Sequence, residues 1–370
     1  MVDIFFELIR VALGAQPQLS RQLTSDEWHQ LYELINKQTL LGVCFAGVLR
    51  MEEKGASLSI PEDLRKKWFF ETATIQQDNE DANARCQKVL QVLRHQGFEA
   101  SILKGQGVAR YYPDDDVVEM SILRQTGDID IWMWPKGDWN LSHDERVRII
   151  AAYAQKHGAK EKLCYHHIDM KPAKGFDLEA HFTPSWMYSP FNNHKLQRWF
   201  SESAPEQMKH DFSTTSFNLI YLLIHIFRHL FREGIGLRQV LDYYFVLRQA
   251  NEEQVDKKAI LAQLKSMGLG RFTAALMWIL HARFGMPDDL LLCQGNSKEG
   301  EFLLSEIMLS GNFGQFDTRS QKVKDGTWKK FWILLKRNFH FLTHYPSEVL
   351  WAPLWKIWHQ AWLRRVTVHA

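Results

Sequence analysis

Apolar and polar positions follow two rhythms along this chain, and the change from one to the other divides it. Over residues 3–13, 25–38, a stretch after Pro61, and 72–95, apolar side chains recur at helical spacing. Thr24-Ser25-Asp26-Glu27 sets cap-forming residues ahead of Trp28, Leu31 and Leu34-Ile35. Gly97 closes the long helix, and strict alternation then predicts short strands at 98–103 and around 129–133. A helix is expected at 143–158, and a strand pair at 163–170 and 176–182 across Lys171-Pro172-Ala173-Lys174-Gly175. After Pro184 the pattern is helical again, with helices at 217–231 and 237–248 separated by Gly234-Ile235-Gly236. The fold class predicted is α+β, a small mixed sheet over roughly 98–183 with helical regions on either side. A chain of 370 residues exceeds one ordinary core, so we expect a helical N-terminal subdomain (1–97), an α/β core (98–185), a helical subdomain closing a cleft (186–327) and Trp-rich basic C-terminal helices (328–370).

The candidate chemistry sits on the strands. In Gly127-Asp128-Ile129-Asp130-Ile131-Trp132-Met133, alternation puts Ile129, Ile131 and Met133 on one face and the Asp128 and Asp130 carboxylates together on the other. Like charges that close repel unless a cation lies between them. Mg2+, or Mn2+ in its place, answers this with carboxylate ligands, water and substrate phosphates, which points to nucleotide chemistry. Upstream, Lys104-Gly105-Gln106-Gly107 follows a strand and opens a helix expected at 108–112, offering backbone N–H groups and a lysine charge to phosphate. An ordinary glycine turn with an exposed lysine is the alternative. Arg124 either clamps phosphate or pairs with Asp128. Pro113-Asp114-Asp115-Asp116 is expected to be a solvated acidic turn.

On the strand at 176–182, Phe176, Leu178, Ala180 and Phe182 face a core while Asp177, Glu179 and His181 share the opposite face. His166 and His167 point to opposite sides if both lie in a strand, so only one of them joins His181. A zinc site of His167, His181 and a carboxylate is a separate possibility, which would make the protein a metal hydrolase. In the helix at 217–231, His225, Arg228, His229 and Arg232 form a basic stripe able to line a cleft. Arg238 and Asp242 share a helix face at i and i+4, either as a surface ion pair or with Arg238 in the cleft and Asp242 holding it.

Lys104-Gly105-Gln106-Gly107, Tyr111-Tyr112-Pro113, Arg124, Gly127-Asp128-Ile129-Asp130, Tyr165-His166-His167, Glu179-Ala180-His181-Phe182 and Gly236-Leu237-Arg238-Gln239 followed by Asp242 occur in that order. Together they resemble the uncharacterised nucleotidyltransferase family of bacteria, a divergent branch of the polymerase-beta-like nucleotidyltransferases. Lys-Gly-Gln-Gly stands here where the broader superfamily carries Gly-Gly or Gly-Ser. The resemblance implies transfer of a nucleoside monophosphate from an NTP such as ATP to an acceptor hydroxyl or phosphate, with pyrophosphate release. It implies metal and catalytic roles for Asp128 and Asp130, with Glu179 as the third carboxylate and Asp177 as its rival. Lys104, Gly105, Gln106, Arg124, Gly127 and Arg238 would then bind nucleotide, with His167, His181 and Asp242 in support. A nucleotide-binding partner protein without turnover is the reading from another class.

Composition narrows the partners. A net charge of +2, from 45 basic and 43 acidic residues, argues against polynucleotide as the main partner. Four scattered cysteines form no Cys-x-x-Cys pair, which fits a reducing cytoplasm, and Asp3, Glu7 and Arg10 interrupt any signal-peptide core. Trp328, Trp332, Phe339 and Leu342 form one C-terminal stripe, and Trp351, Trp355, Trp358 and Trp362 another, flanked by Lys and Arg. Such helices can lie on membranes, but burial against the chain itself is the preferred expectation.

Overall fold

The computed structural model describes residues 1–159, 163–173, 176–232, 234–311 and 339–367. Its sheet is four-stranded and mixed, in the order β1-β2-β4-β3. The strands are β1 (Phe98–Ile102), β2 (Ile129–Pro135), β3 (His167–Ala173) and β4 (Phe176–His181). β1 runs antiparallel to β2, β2 parallel to β4, and β3 antiparallel to β4. The α+β expectation therefore holds.

Before the sheet come α1 (Val2–Ala12), α2 (Ser25–Lys37), α3 (Leu41–Glu53) and α4 (Glu62–His95). Thr24 and Glu27 close a capping box on α2, as its sequence predicts. α3 has no counterpart in the sequence expectations. Leu41 through Val48 are all buried, so the first two turns carry no polar face for periodicity to reveal. A Cβ on Gly42 would collide with the Leu123 carbonyl, so glycine lets α3 approach the segment that leads into β2. The two helices expected after Pro61 are one, because no Gly or Pro interrupts 62–95. α4 packs on β1, and Gly97, at φ 87°, turns the chain into that strand.

α5 (Gln106–Ala109) starts two residues earlier than expected, since Gly105 at φ 63° makes the turn directly after β1. α6 (His143–Lys156) packs on β2 and β3 and opens with a second capping box, Ser142 with Glu145. β3 begins at His167, four residues after the expected start, and continues through Ala173.

Among the described residues, the remaining α-helices are α7 (Pro190–Gln207), α8 (Thr215–Arg232), α9 (Leu237–Glu252), α10 (Lys257–Ser266), α11 (Gly270–Ala282), α12 (Ser297–Ser310) and α13 (Pro346–Thr367). α7 and α8 cover the second face of β2, with Phe217 of α8 stacked on Trp132 at 5.5 Å and Phe200 of α7 edge-on to it at 6.0 Å. β2 is therefore buried on both faces.

Trp362 of α13 is buried and donates to Asp144 of α6 at 2.9 Å, while Trp355 stacks on Trp186 at 3.9 Å. Trp358 keeps 46% of its surface exposed beside exposed Leu350, Leu354 and Ile357, so burial of that stripe is partial. Of the first stripe, Trp328 and Trp332 lie outside the described residues, Phe339 is 56% exposed and Leu342 is partly buried, so burial is not complete there either. Among the described residues no helix is long and apolar enough to cross a membrane.

Candidate active site

Strand register assembles the site in rows. Asp130 of β2 pairs with Glu179 of β4, which pairs with Asp169 of β3. Two residues on, Trp132 pairs with His181 and His181 with His167. Side chains two apart on a strand share a face, so both rows project from one side. Asp128 leads into β2 and Asp177 sits one residue before Leu178 of β4, close enough for the Asp177 charge to act on Asp128. The face expected to be polar thus carries carboxylates at one end and histidines with Trp132 at the other.

The first glycine loop closes over this ledge. Leu103 N donates to the Asp130 carbonyl at 3.0 Å, and a Cβ on Gly105 would lie 3.6 Å from the Asp128 carbonyl. Lys104 Nζ reaches Asp130 Oδ2 at 3.0 Å. Asp130 is completely buried, and His181 Nε2 meets its Oδ1 at 2.9 Å and Glu179 Oε2 at 3.0 Å.

Negative charge exceeds positive charge here. Asp128 keeps an exposed edge, yet burial of the rest, then the Asp130, Glu179 and Asp177 carboxylates against the pull of Lys104, lift its carboxyl to about 6. Burial works against the Lys104 ammonium, but Asp130, Glu179 and Asp128 outweigh it and hold its pKa above the ordinary lysine range. Burial also opposes ionisation of Glu179, while His181, His167 and Lys104 hold it ionised well below the usual carboxylate range. His167 is lifted to about 10: burial resists its charge, and Asp169, Cys164 and Glu179 prevail.

The arginines do other work than expected. Arg124 pairs neither with Asp128 nor with open solvent. Its Nε and Nη2 form a two-pronged pair with Asp242 Oδ1 and Oδ2 at 2.7 and 2.8 Å, and Tyr112 Oη donates to the same Oδ1 at 2.8 Å. Both partners are buried, so Asp242 anchors Arg124 rather than Arg238, and no surface ion pair forms on α9. Arg238 Nη1 donates to the carbonyls of Gln125 and Thr126 at 2.7 and 3.0 Å. Asn79 Nδ2 on α4 lies 2.8 Å from the Ile122 and Arg124 carbonyls. These bonds fix the run that delivers Gly127 and Asp128.

Gln106, expected at the nucleotide, turns instead toward α4, where its Nε2 donates to Asn83 Oδ1 at 2.9 Å and Asn79 Oδ1 at 3.2 Å. Its short amide satisfies a buried partner rather than a cavity. His225, Arg228 and His229 of the basic stripe on α8 are buried, and burial, then His229 and Lys104, hold His225 well below its ordinary pKa and therefore neutral. His166 and His167 both approach His181, at ring separations of 5.4 and 5.3 Å, because His166 precedes the strand and escapes its alternation.

A cavity of about 300 Å³ opens beside the ledge. Lys104, Gly105, Gly127, Asp128, Asp130 and Arg238 line it, together with Arg124 and Asp242. His225, which the sequence analysis placed in a stripe able to line a cleft, also lines it, as do Thr39 and Gln239, which were not singled out as nucleotide contacts. Thr39 stands at φ 54°, a conformation that its sequence gives no sign of. Asp169 was missed too, although its alternation with His167 was available as a signal.

Against known proteins, a family model described as uncharacterised nucleotidyltransferase matches residues 24–285. No curated protein and no solved structure matches the chain.

Proposed function

We propose, for a chain that belongs to the uncharacterised nucleotidyltransferase family, that the ledge of Asp128, Asp130 and Glu179 carries metal-dependent transfer of a nucleoside monophosphate from an NTP to an acceptor oxygen. The observation that carries this is the register of Asp130 beside Glu179 on parallel strands, with Asp128 two residues away and a cavity opening next to them. The donor set fits a hard dication. All three ligands are carboxylates, and the buried Asp130 Oδ2 meets Lys104 without a well-directed hydrogen bond, leaving lone-pair capacity for a cation. Bound Mg2+ or Mn2+ neutralises charge on the nucleotide phosphates and so favours departure of pyrophosphate.

The chain's own groups do the rest. Lys104, rooted on Asp130, presents an ammonium at the cavity edge for a phosphate oxygen. Arg238 lines the same cavity and, though burial and then Arg124 push its pKa down to about 10, keeps its charge at neutral pH. Gly105 and Gly127 leave the cavity floor without side chains, so phosphate can approach the backbone. The acceptor oxygen bonds to the α-phosphorus and, where it is a hydroxyl, gives its proton to solvent water. The bond from that phosphorus to the bridging oxygen of the β-phosphate breaks, and pyrophosphate leaves with that oxygen.

The test is pyrophosphate release from each NTP with Mg2+ or Mn2+ against a pool of small-molecule and protein acceptors. Release that requires the metal and disappears in Asp130→Asn supports the reading. Metal-dependent release that survives in the Asp128→Asn, Asp130→Asn double variant overturns it.

A further inference from the structure

α9 begins at the cavity, and its first turn is left open. Gly236 takes the N-cap position at φ −98° and ψ 168°, extended backbone that any residue adopts, and it brings no capping side chain to the helix. A Ser, Thr or Asp there would accept from the N–H groups of the second and third helical residues. Those residues are Arg238 and Gln239, whose N–H groups have no partner inside the helix. The N–H of Leu237, ahead of them, is already taken by Gln38 Oε1 at 3.0 Å. With 16 residues, α9 is long enough for its N-terminus to carry the partial positive charge of a helix end.

Two buried side chains add donors to this turn. Arg238 is 6% exposed and forms no ion pair among the described residues, whereas Arg124 beside it spends its charge on Asp242. The Gln125 and Thr126 carbonyls hold Arg238 Nη1, its buried Nε has no partner, and its Nη2 lies against Gly127, 3.8 Å from where a Cβ would stand. Gln239 is 7% exposed with its Oε1 buried and unpartnered, so nothing in the chain fixes which way its carboxamide turns, and its NH2 can serve an acceptor in the cavity.

Both residues line the cavity beside Asp128. A neutral ligand would leave the guanidinium charge unanswered, and a cation would add to it. An anion with several oxygens meets the guanidinium, the carboxamide and the two N–H groups together. The glycine loop on the opposite side offers less: α5 has only four residues, and its Gln106 is spent on Asn83 and Asn79. Lys104 there is rooted on Asp130 at 3.0 Å and belongs to the ledge. Phosphate chemistry near Asp128 and Asp130 therefore finds its uncommitted donors on the α9 side.

We propose that the first turn of α9, with Arg238 and Gln239, is a polyphosphate subsite that holds the pyrophosphate end of a nucleoside triphosphate and retains pyrophosphate after its bond to the α-phosphorus breaks. This rests on the transfer reading for the identity of the anion, and deepens it by giving the leaving group a place of its own, apart from the metal ledge.

The test is calorimetric titration of the full chain with inorganic pyrophosphate in EDTA, so that no metal bridges the anion to the ledge. Saturable binding is expected, at least tenfold tighter than that of AMP, which lacks the pyrophosphate end. Asp128→Asn should tighten it severalfold by removing a like charge. Arg238→Gln should weaken it tenfold or more, and Arg238→Lys, which keeps the charge and loses the planar fork, should recover part of that loss. Gly236→Asp sets a carboxylate over the open N–H groups and should also weaken pyrophosphate at least tenfold, with circular dichroism unchanged. Where that variant does not fold, the two Arg238 variants decide. No saturable binding in wild type and in Asp128→Asn, AMP bound as tightly as pyrophosphate, or undiminished binding in a folded Arg238→Gln variant would overturn the subsite. Mg2+-dependent pyrophosphate release without pyrophosphate binding in EDTA would remove this inference and leave the transfer reading standing. Pyrophosphate binding without release from any NTP would keep the anion site and remove the transfer reading.

Discussion

Two charged clusters face the same cavity and are built from similar residues, yet they differ in how their charge closes. At the Arg124 corner the Asp242 oxygens are matched: Oδ1 accepts from Arg124 Nε and Tyr112 Oη, and Oδ2 from Arg124 Nη2. Burial would weaken the Arg124 charge, but Asp242 raises its pKa above the ordinary value. On the ledge, Asp128, Asp130, Glu179 and Asp177 gather around the Lys104 ammonium and two imidazoles, and Asp128 responds by holding its proton up to about pH 6. A closed pair is architecture, since nothing is left over to bind. A surplus of carboxylate is a site, because the missing positive charge must come from a ligand.

The largest effect should follow from removing that surplus. Asp130→Asn and Asp128→Asn should each lower metal-dependent pyrophosphate release roughly 10⁴-fold, about 5.5 kcal/mol of barrier, since each deletes a metal ligand at the point of charge neutralisation. Stopped-turnover assays at saturating metal would show it, and a loss under tenfold in either variant would contradict the role. Glu179→Gln should lose about a thousandfold, roughly 4 kcal/mol. Asp177→Asn should lose under tenfold, because Asp177 is exposed and reaches Asp128 by charge alone. The opposite order would make Asp177 the third ligand.

The Arg124 corner should answer in stability. Asp242→Ala strands a buried guanidinium, a change that typically costs about 3 to 5 kcal/mol. Urea denaturation would read that loss, and stability within 1 kcal/mol of wild type would mean that water or a neighbouring carbonyl serves Arg124 equally well.

What was readable in the sequence follows the same division. The ledge was legible because alternation within β2 and β4 is local: Asp128, Asp130, Glu179 and His181 announce their face from their spacing alone. The parallel register that sets Asp130 against Glu179 was not, since it depends on a crossover through α6 and β3. The Arg124 corner was misread for a related reason. Its partner lies 118 positions away, and i,i+4 spacing on α9 offered Arg238 as a nearer candidate for Asp242. α3 was invisible because its first eight residues, Leu41 through Val48, are buried all round and show no periodic contrast.

A smaller effect distinguishes the clusters by pH. The folded-state pKa of Asp128, about 6, lies above its ordinary value, so its ionised form burdens the metal-free fold and that burden is relieved as pH falls through about 6. Ionised Asp128 is also the metal-binding form. Magnesium affinity should therefore fall about tenfold per pH unit below 6, with the inflection absent in Asp128→Asn. A flat profile between pH 5 and 7 in wild type would separate Asp128 from the metal.

The smallest predicted change concerns Gln106, which the glycine motif presents as a nucleotide ligand and the fold turns toward α4. Gln106→Ala removes a donor from Asn83 and from Asn79 Oδ1, and a lost buried hydrogen bond of this kind costs about 1 kcal/mol. The ledge should not feel it. Asn79 holds the run into β2 through Nδ2, which lies 2.8 Å from the Ile122 and Arg124 carbonyls, and that atom keeps its partners when Gln106 is gone. The variant should thus melt a few degrees lower while KM for the nucleotide changes less than twofold. A tenfold rise in KM at unchanged melting temperature would instead put Gln106 at the phosphates, and would require the glycine loop to rearrange when nucleotide binds.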